Sequence, residues 1–474
     1  MAEKKKQSFY ITTTLPYVNA EPHIGFAMEL IHADVVARTK ELQGEKVFFN
    51  TGTDEHGVKV YTKAKEAGLE PQKYADEYAA KFRNLIDLLG IDKKSIHFVR
   101  TTDEHHKKAA QEIWKLCKKA KDIYKKNYTI KYCNSCELEK TDSELINGRC
   151  AIHPDKELEI REEENYFFRF SKYQEPLLKF YRENPQFVIP DFRFNEIIKF
   201  VERGLEDFSI SRLKSKMPWG VEVPGDSEHV MYVWFDALTN YISTIGWPDN
   251  MKEFEKWWPV VQFAGKDQIR QQAAMWQAML MSAGLPHSKQ IIIHGFINLN
   301  GQKMSKSVGN VISPREVIDR FDLDALRYFV TREINQFEDT DISWDKFNEW
   351  YNANLANGLG NLVSRIMTLA ESNLSESAEI SEWEDMSEYF SILNKFRIKE
   401  ATDYIWKKIG ELDKEIQGKK PWESRDHGVI SGLVAKLYSI ARMLNPFMPE
   451  TSAKIKELVK SNKKPETPLF QRLN

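Results

Sequence analysis

Residues 9–26 read Phe9-Tyr10-Ile11-Thr12-Thr13-Thr14-Leu15-Pro16-Tyr17-Val18-Asn19-Ala20-Glu21-Pro22-His23-Ile24-Gly25-Phe26, and the organisation of the N-terminal half follows from them. Phe9 to Thr14 is aromatic and β-branched, which predicts a strand. The stretch Leu15 to Pro22 carries two prolines and breaks it. Ile24, Met28, Ile31 and Val35 then recur at helical spacing up to Leu42, with Gly44 as the stop. Val47-Phe48-Phe49 predicts a second strand, and another helical pattern follows. Strand, helix, strand at this spacing is a βαβ unit, so an α/β fold with a doubly wound parallel sheet is expected. At the strand-to-helix junction sits Pro22-His23-Ile24-Gly25-Phe26. A helix N-terminus presents unpaired backbone N–H groups and a positive dipole end, which suits phosphate. Gly25 lets a ligand approach the backbone, and His23 can donate to it. The short string equally fits a capping or surface histidine.

Composition bounds the rest. A chain of 474 residues has room for about three domains. Hydrophobic residues make up 42% and charged residues 29%, a globular balance that excludes disorder, collagen and small disulfide scaffolds. Lys plus Arg is 68 against 70 Asp plus Glu, a formal net charge of -2, so an RNA partner must meet local basic surface. No apolar run approaches the roughly 20 residues of a membrane helix. The start, Met1 to Lys6 followed by Gln7-Ser8-Phe9-Tyr10, has no apolar segment of a secretory signal. Four cysteines in a chain of this length point to a reducing, cytoplasmic setting.

Lys115 to Asp191 differs in composition, holds all four cysteines and reads as an insertion. Within it, Cys133-x-x-Cys136 and Cys150-x-x-His153 are two tight pairs of the kind that bind tetrahedral zinc. Four protein ligands close the shell, so one structural Zn2+ per chain is expected, while Cys117 lies outside the pattern as an ordinary buried thiol. Near Val230 to Trp234 the strand-and-helix pattern resumes, and Ile291-Ile292-Ile293 predicts a further buried strand. After it comes Lys303-Met304-Ser305-Lys306-Ser307, two lysines on a loop with small hydroxyl residues between them, a cationic clamp for polyphosphate. From about Trp344 onward, long amphipathic patterns predict a helical bundle.

His23-Ile24-Gly25 at the first βα turn and Lys303 to Ser307 late in the same domain resemble the two signatures of the class I aminoacyl-tRNA synthetases. Within that class the chain is most similar to the methionyl-tRNA synthetase family. Supporting strings are Thr14-Leu15-Pro16-Tyr17-Val18-Asn19, Thr51-Gly52-Thr53-Asp54-Glu55-His56-Gly57, Tyr232-Val233-Trp234-Phe235-Asp236-Ala237-Leu238-Thr239-Asn240-Tyr241, Gly265-Lys266-Asp267 and His294-Gly295. Lys420-Pro421-Trp422 extends the likeness, more faintly, to most of the chain. Residues 27–302 separate the signatures, leaving little room for the editing insertion of the leucine, isoleucine and valine enzymes.

The resemblance implies a Rossmann-like catalytic domain in two halves, 1–115 and 229–343. Between them would lie a connective insertion with a zinc knuckle, 116–228, and after them an α-helical anticodon-binding domain, 344–474. It implies a methionine–tRNA ligase: methionine and ATP, with Mg2+, form methionyl-adenylate, and the methionyl group passes to the terminal adenosine of tRNA(Met). His23, Lys303 and Lys306 are then the catalytic candidates, with Gly25, Asp267, Gly295 and both lysines on ATP. Leu15, Tyr17, Asp54, Trp234, Ala237 and Tyr241 are the amino-acid candidates, Asp54 toward the ammonium. Trp234 and Tyr241, seven apart, face one side if their segment is helical. The zinc ligands are Cys133, Cys136, Cys150 and His153. Trp422 either stacks on an anticodon base or packs into the bundle, and basic residues from Lys395 to Arg442 either meet phosphates or form a solvated face. A monomer is expected, since no β-rich dimerising segment follows before Asn474.

Two departures stand out. The family's first signature usually ends in a second histidine, where this chain has Phe26, which cannot donate to phosphate. After Asp267 the family commonly has an aliphatic residue and, four positions later, a histidine; here these are Gln268 and Gln272. Alternatives are therefore a synthetase-like tRNA-binding relative with weak or no activation, or a class I ligase for another amino acid.

Overall fold

The computed structural model describes residues 8–133, 138–140, 145–150, 154, 155, 157–304, 311–380 and 386–473. β1 (Ser8–Thr12), α1 (Ile24–Leu42) and β2 (Lys46–Thr53) form the expected βαβ unit, with Gly44 at φ +85° turning the chain after the helix. Ser8 pairs with Lys46 and Thr12 with Asn50, in parallel.

The central sheet has six parallel strands. Its order is β3 (Ile96–Arg100), β2, β1, Val261–Gly265, Gln290–His294 and Val188–Ile189. The chain first extends the sheet to one side of β1, then returns to build the other side from Val261. Strand order thus reverses at β1, and such a reversal opens a crevice at the carboxyl ends of the strands. The strand at Ile291–Ile293 lies where expected, buried in the sheet.

Two features differ from the linear reading. Val188–Ile189, inside the stretch expected as an insertion, pairs with Ile291 and Ile292 as the sheet's edge strand. Two residues leave no alternation to read; the neighbouring strand supplies the template. Asp226–Met231 does not resume the central sheet but joins a separate antiparallel sheet with Ser211–Leu213 and Glu222–Val223. The insertion itself is built on an antiparallel pair, Ile123–Cys133 with Glu159–Phe168. Cys117 is buried, and burial pushes its thiol up to about 12.

From Trp344 to Ser461 the described residues are helical with short connections. Their apolar faces share one core with α1 and the sheet: Ile31, Val35, Phe263 and Ile292 belong to the same cluster as Leu433, Leu437 and Ile455. Arg327, fully buried, ties the parts together. Its Nη2 donates to Asp34 Oδ2 of α1 (2.6 Å) and to the Pro446 carbonyl (2.8 Å), Nε to the Phe447 carbonyl (2.8 Å) and Nη1 to the Leu89 carbonyl (3.1 Å). Among the described residues no helix is long and apolar enough to cross a membrane.

Candidate active site

His23 caps α1. Its backbone is extended, and its Nδ1 accepts a hydrogen bond from Gly25 N at 3.0 Å. In the neutral ring an accepting Nδ1 leaves the proton on Nε2, the tautomer that donates. Capping and phosphate binding, alternatives in the bare sequence, are thus compatible roles of one side chain. Gly25 is required for this fold-back, since a Cβ there would lie 2.8 Å from His23 Cε1.

Beside this helix start, in the crevice at β1, lies a cavity of ≈ 440 Å³. Among its lining residues are Leu15, Tyr17, His23, Gly25, Trp234, Asp267 and Gly295, seven of the residues picked out from the sequence, drawn from segments far apart in the chain. Tyr17 and Trp234 meet edge to face at 6.1 Å. Gly295 touches the cavity, but the space a side chain would need is filled by Glu338 and Asp339: a Cβ would come within 2.3 Å of the Glu338 carbonyl. Protein backbone alone therefore demands glycine there.

Lys303 ends the short Gln302–Lys303 strand, and Lys306 lies outside the described residues. The flanks of their loop are informative. Met304 lines the cavity, and on the far side the Ile312 carbonyl accepts from Ile24 N at 3.1 Å, in the first turn of α1. The loop leaves from the cavity and returns to the helix that His23 caps.

Three amino-acid candidates do not line the cavity. Asp54 is buried beside the wall segment, its N–H donating to the Pro16 carbonyl and its carbonyl accepting from Val18 N. Its Oδ1 is buried and meets no donor among the described residues. Burial, then the charges of Asp236 and Glu55, hold its carboxyl well above the usual range. Ala237 and Tyr241 are buried too. The helix containing them breaks between Val233–Ala237 and Asn240–Ser243, so the seven-residue spacing does not keep one face. Trp234 turns to the cavity while Tyr241 faces Gln272 and Trp276.

Several lining residues were not among the site candidates read from the sequence: Thr14, Glu29, Lys59, His294 and Phe296 among them. Glu29 Oε1 accepts from Thr14 N (2.6 Å) and Oγ1 (2.7 Å), and Oε2 lies 2.6 Å from His294 Nε2. His294 Nδ1 lies 2.8 Å from the Gly295 carbonyl, so both ring nitrogens face acceptors. Burial alone would lower its pKa, but the Glu29 hydrogen bond and charge, with the Gly295 carbonyl and Asp267, raise it. The signal available in sequence was a carboxylate inside the apolar stripe of α1. A second buried cluster holds the Asp54 segment. Asp236 takes His56 Nδ1 at 2.6 Å and His106 Nε2 at 2.8 Å; burial would raise its pKa, yet these imidazoles hold it at about 2.

The family model described as "tRNA synthetases class I (M)" matches residues 9–144 and 135–367. The chain belongs to the class I tRNA synthetases. It is 42% identical to the methionine–tRNA ligase of Thermotoga maritima, over 96% of this chain and 76% of the relative. It is 39% identical to that of Rhizobium meliloti, over 95% of this chain and 91% of the relative. Among solved structures, Mycobacterium tuberculosis methionyl-tRNA synthetase in complex with methionyl-adenylate superposes with a TM-score of 0.88 at 34% identity, covering 98% of this chain and all of that one.

In this synthetase Phe26 lines the cavity, edge to face with Phe82 (5.7 Å) and tilted against His23 (4.5 Å). Gln268 lines it as well, whereas Gln272 is buried behind and bonds Gln262, Tyr241 and Gln268. Trp422 is 43% exposed on the short Pro421–Ser424 helix. Many cations of the bundle are held by acids, as Lys419 and Lys436 are by Glu415.

Proposed function

We propose that this chain is a methionine–tRNA ligase, which activates methionine with ATP and passes it to the terminal adenosine of tRNA(Met). The observation that carries the reading is the meeting, at the switch point of a parallel sheet, of the first-signature helix start with Asp267, Trp234 and both flanks of the second-signature loop. The relatives' names and the methionyl-adenylate complex of a structure at 34% identity support methionine as the amino acid.

The methionine carboxylate attacks the α-phosphorus in line, and pyrophosphate leaves. The tRNA hydroxyl then attacks the adenylate carbonyl. Neither step needs a protein nucleophile, so positioning and charge stabilisation carry the rate. His23, donating through Nε2, the α1 N-terminus at Gly25, Lys303 and Lys306 hold phosphate; Asp267 takes the ribose hydroxyls, and Gly295 borders the adenine. Mg2+ accompanies ATP. Leu15, Tyr17 and Trp234 line the side-chain pocket, with Ala237 and Tyr241 supporting it from behind. Asp54, whose buried Oδ1 meets no donor among the described residues, receives the ammonium group through that oxygen once Tyr17 and its segment adjust. Trp422, exposed, stacks on an anticodon base.

A structural zinc fits what is described of its donors. Cys133 pairs with Leu138 across the ends of one hairpin, and Cys150 is buried in the Arg149–Cys150 strand of a second. Cys136 and His153 lie outside the described residues. Among the described residues no group of three or more His, Cys, Asp or Glu side chains is arranged to hold a metal ion. Thiolate and imidazole donors are those zinc takes, and the ion would serve only to hold the two hairpins. We divide the chain as 1–115, 116–228, 229–343 and 344–474, and take it to work as a cytoplasmic monomer.

The test is ATP–pyrophosphate exchange by purified protein across a full amino-acid panel, followed by tRNA charging. Exchange with methionine and charging of tRNA(Met) is the expected result. Tight tRNA binding without exchange for any amino acid would replace the reading with that of a non-catalytic relative.

A further inference from the structure

The buried cluster around Asp236 joins two walls of the amino-acid pocket. One wall is the Tyr17 segment, bridged in parallel to Asp54. The other is the five-residue helix Val233–Ala237, which turns Trp234 to the cavity. His56 stands two residues after Asp54, and Asp236 two residues after Trp234. Their side chains meet, His56 Nδ1 on Asp236 Oδ2 at 2.6 Å, while the other carboxylate oxygen takes His106 Nε2, from the Glu104–Lys119 helix, at 2.8 Å. All three residues are buried, and none of them lines the cavity. The two segments also touch beside this contact: a Cβ on Gly57 would lie 3.3 Å from Val233 Cβ.

The direction of these bonds is fixed. Burial would raise the Asp236 pKa, but the two imidazoles hold it at about 2, so the group is an ionised carboxylate, which only accepts. His56 therefore donates from Nδ1 and His106 from Nε2. Apolar packing supplies no such direction. Phe235 packs against Trp114 and Phe168, which buries the short helix without registering it against its neighbours. Five residues make too few internal bonds to hold a helix in place. Charge-assisted hydrogen bonds are short and directional, and two of them on one carboxylate set its helix against both partners.

We propose that Asp236 is a positioning residue for methionine: by clipping His56 to the Trp234 helix it holds Trp234 against Tyr17 and Asp54, and so governs affinity for the amino acid and not for ATP. The inference rests on the activity given above and deepens it. Trp234 meets Tyr17 edge to face at 6.1 Å, and Asp54 offers its buried Oδ1. The ATP side is built on other elements: His23 at the start of α1, Asp267 after the Val261–Gly265 strand and Gly295 after the Gln290–His294 strand. Loss of the clip loosens one end of the site.

The experiment is pyrophosphate exchange by the full chain as wild type, Asp236→Ala, His56→Ala and His56→Asn, with kcat and the KM values for methionine and ATP resolved separately. An asparagine amide nitrogen reaches the place of the imidazole Nδ1, so His56→Asn keeps the N–H that Asp236 accepts. Expected are a roughly tenfold rise in the methionine KM of both alanine variants, an ATP KM within about twofold of wild type, and a methionine KM restored toward wild type in His56→Asn. A folded alanine variant with an unmoved methionine KM overturns the proposal. So does a parallel rise in both KM values, the mark of general loosening, and so does a His56→Asn chain that behaves as His56→Ala. Should Asp236→Ala fail to fold, the two His56 variants decide by the same criteria. Each of these outcomes leaves the ligase reading standing. A wild-type chain without methionine-dependent exchange removes that reading, and the proposal with it.

Discussion

Replacing Phe26 with histidine should accelerate amino-acid activation. Phe26 lines the cavity next to His23, as the third residue of α1 in its first turn, and its phenyl ring has no donor. One preorganised donor aimed at developing charge is worth about 2.7–4 kcal/mol, or ~10²–10³ in rate. His23, the helix end and the lysine loop already share that charge, so a tenth of this range, about 10–100-fold in kcat, is the expected gain. The exchange has a cost in packing. The edge-to-face contact with Phe82 at 5.7 Å is worth about 0.5–1.5 kcal/mol, and the imidazole keeps only part of it. A fall of a few degrees in Tm should therefore accompany the faster reaction. The assay is pyrophosphate exchange at saturating methionine, with kcat and the KM for ATP resolved separately, and with Phe26→Leu as the variant that alters the ring without adding a donor. A folded Phe26→His protein with kcat within twofold of wild type, or an equal rise in Phe26→Leu, would refute the argument that this position is short of a donor.

Further expectations concern the buried charges. Asp54 titrates above the usual carboxylate range because it is buried near Asp236 and Glu55. An ammonium group needs it ionised, so the KM for methionine should rise as pH falls toward that raised value, and Asp54→Asn should raise KM at least tenfold and flatten the profile. For His294 the folded pKa lies above the unfolded value of about 6.5, so its stabilisation is complete below that pH and fades as pH rises through the raised value. Glu29→Gln should then cost ~3 kcal/mol in urea unfolding at pH 6, and less at higher pH; a penalty that grows with pH would contradict the pairing. Arg327→Leu strips Asp34 of a buried partner and leaves the Pro446, Phe447 and Leu89 carbonyls without their donor, for an expected loss of ~3–5 kcal/mol. A loss under 1 kcal/mol by chemical denaturation would show that water replaces the guanidinium.

Local pattern carried the βαβ unit from Phe9 through α1 to Phe49, the stop at Gly44, the buried strand at Ile291–Ile293 and the helical C-terminal part, because each rests on the period of neighbouring side chains. The motifs around His23, Trp234, Asp267 and Gly295 were read as one set through their resemblance to a known family, which short contiguous strings suffice to carry. Their convergence on one cavity, and the exclusion of Tyr241, were matters of tertiary structure: the helix breaks between Ala237 and Asn240, and Tyr241 beyond the break contacts Gln272 and Trp276. So were the Glu29–His294 pair, the edge strand at Val188 and the meeting of His56 and His106 on Asp236. Hydrogen bonds between residues far apart in the chain leave no periodic trace along it. Their partners are chosen by which strands lie side by side, and only the folded sheet makes that choice.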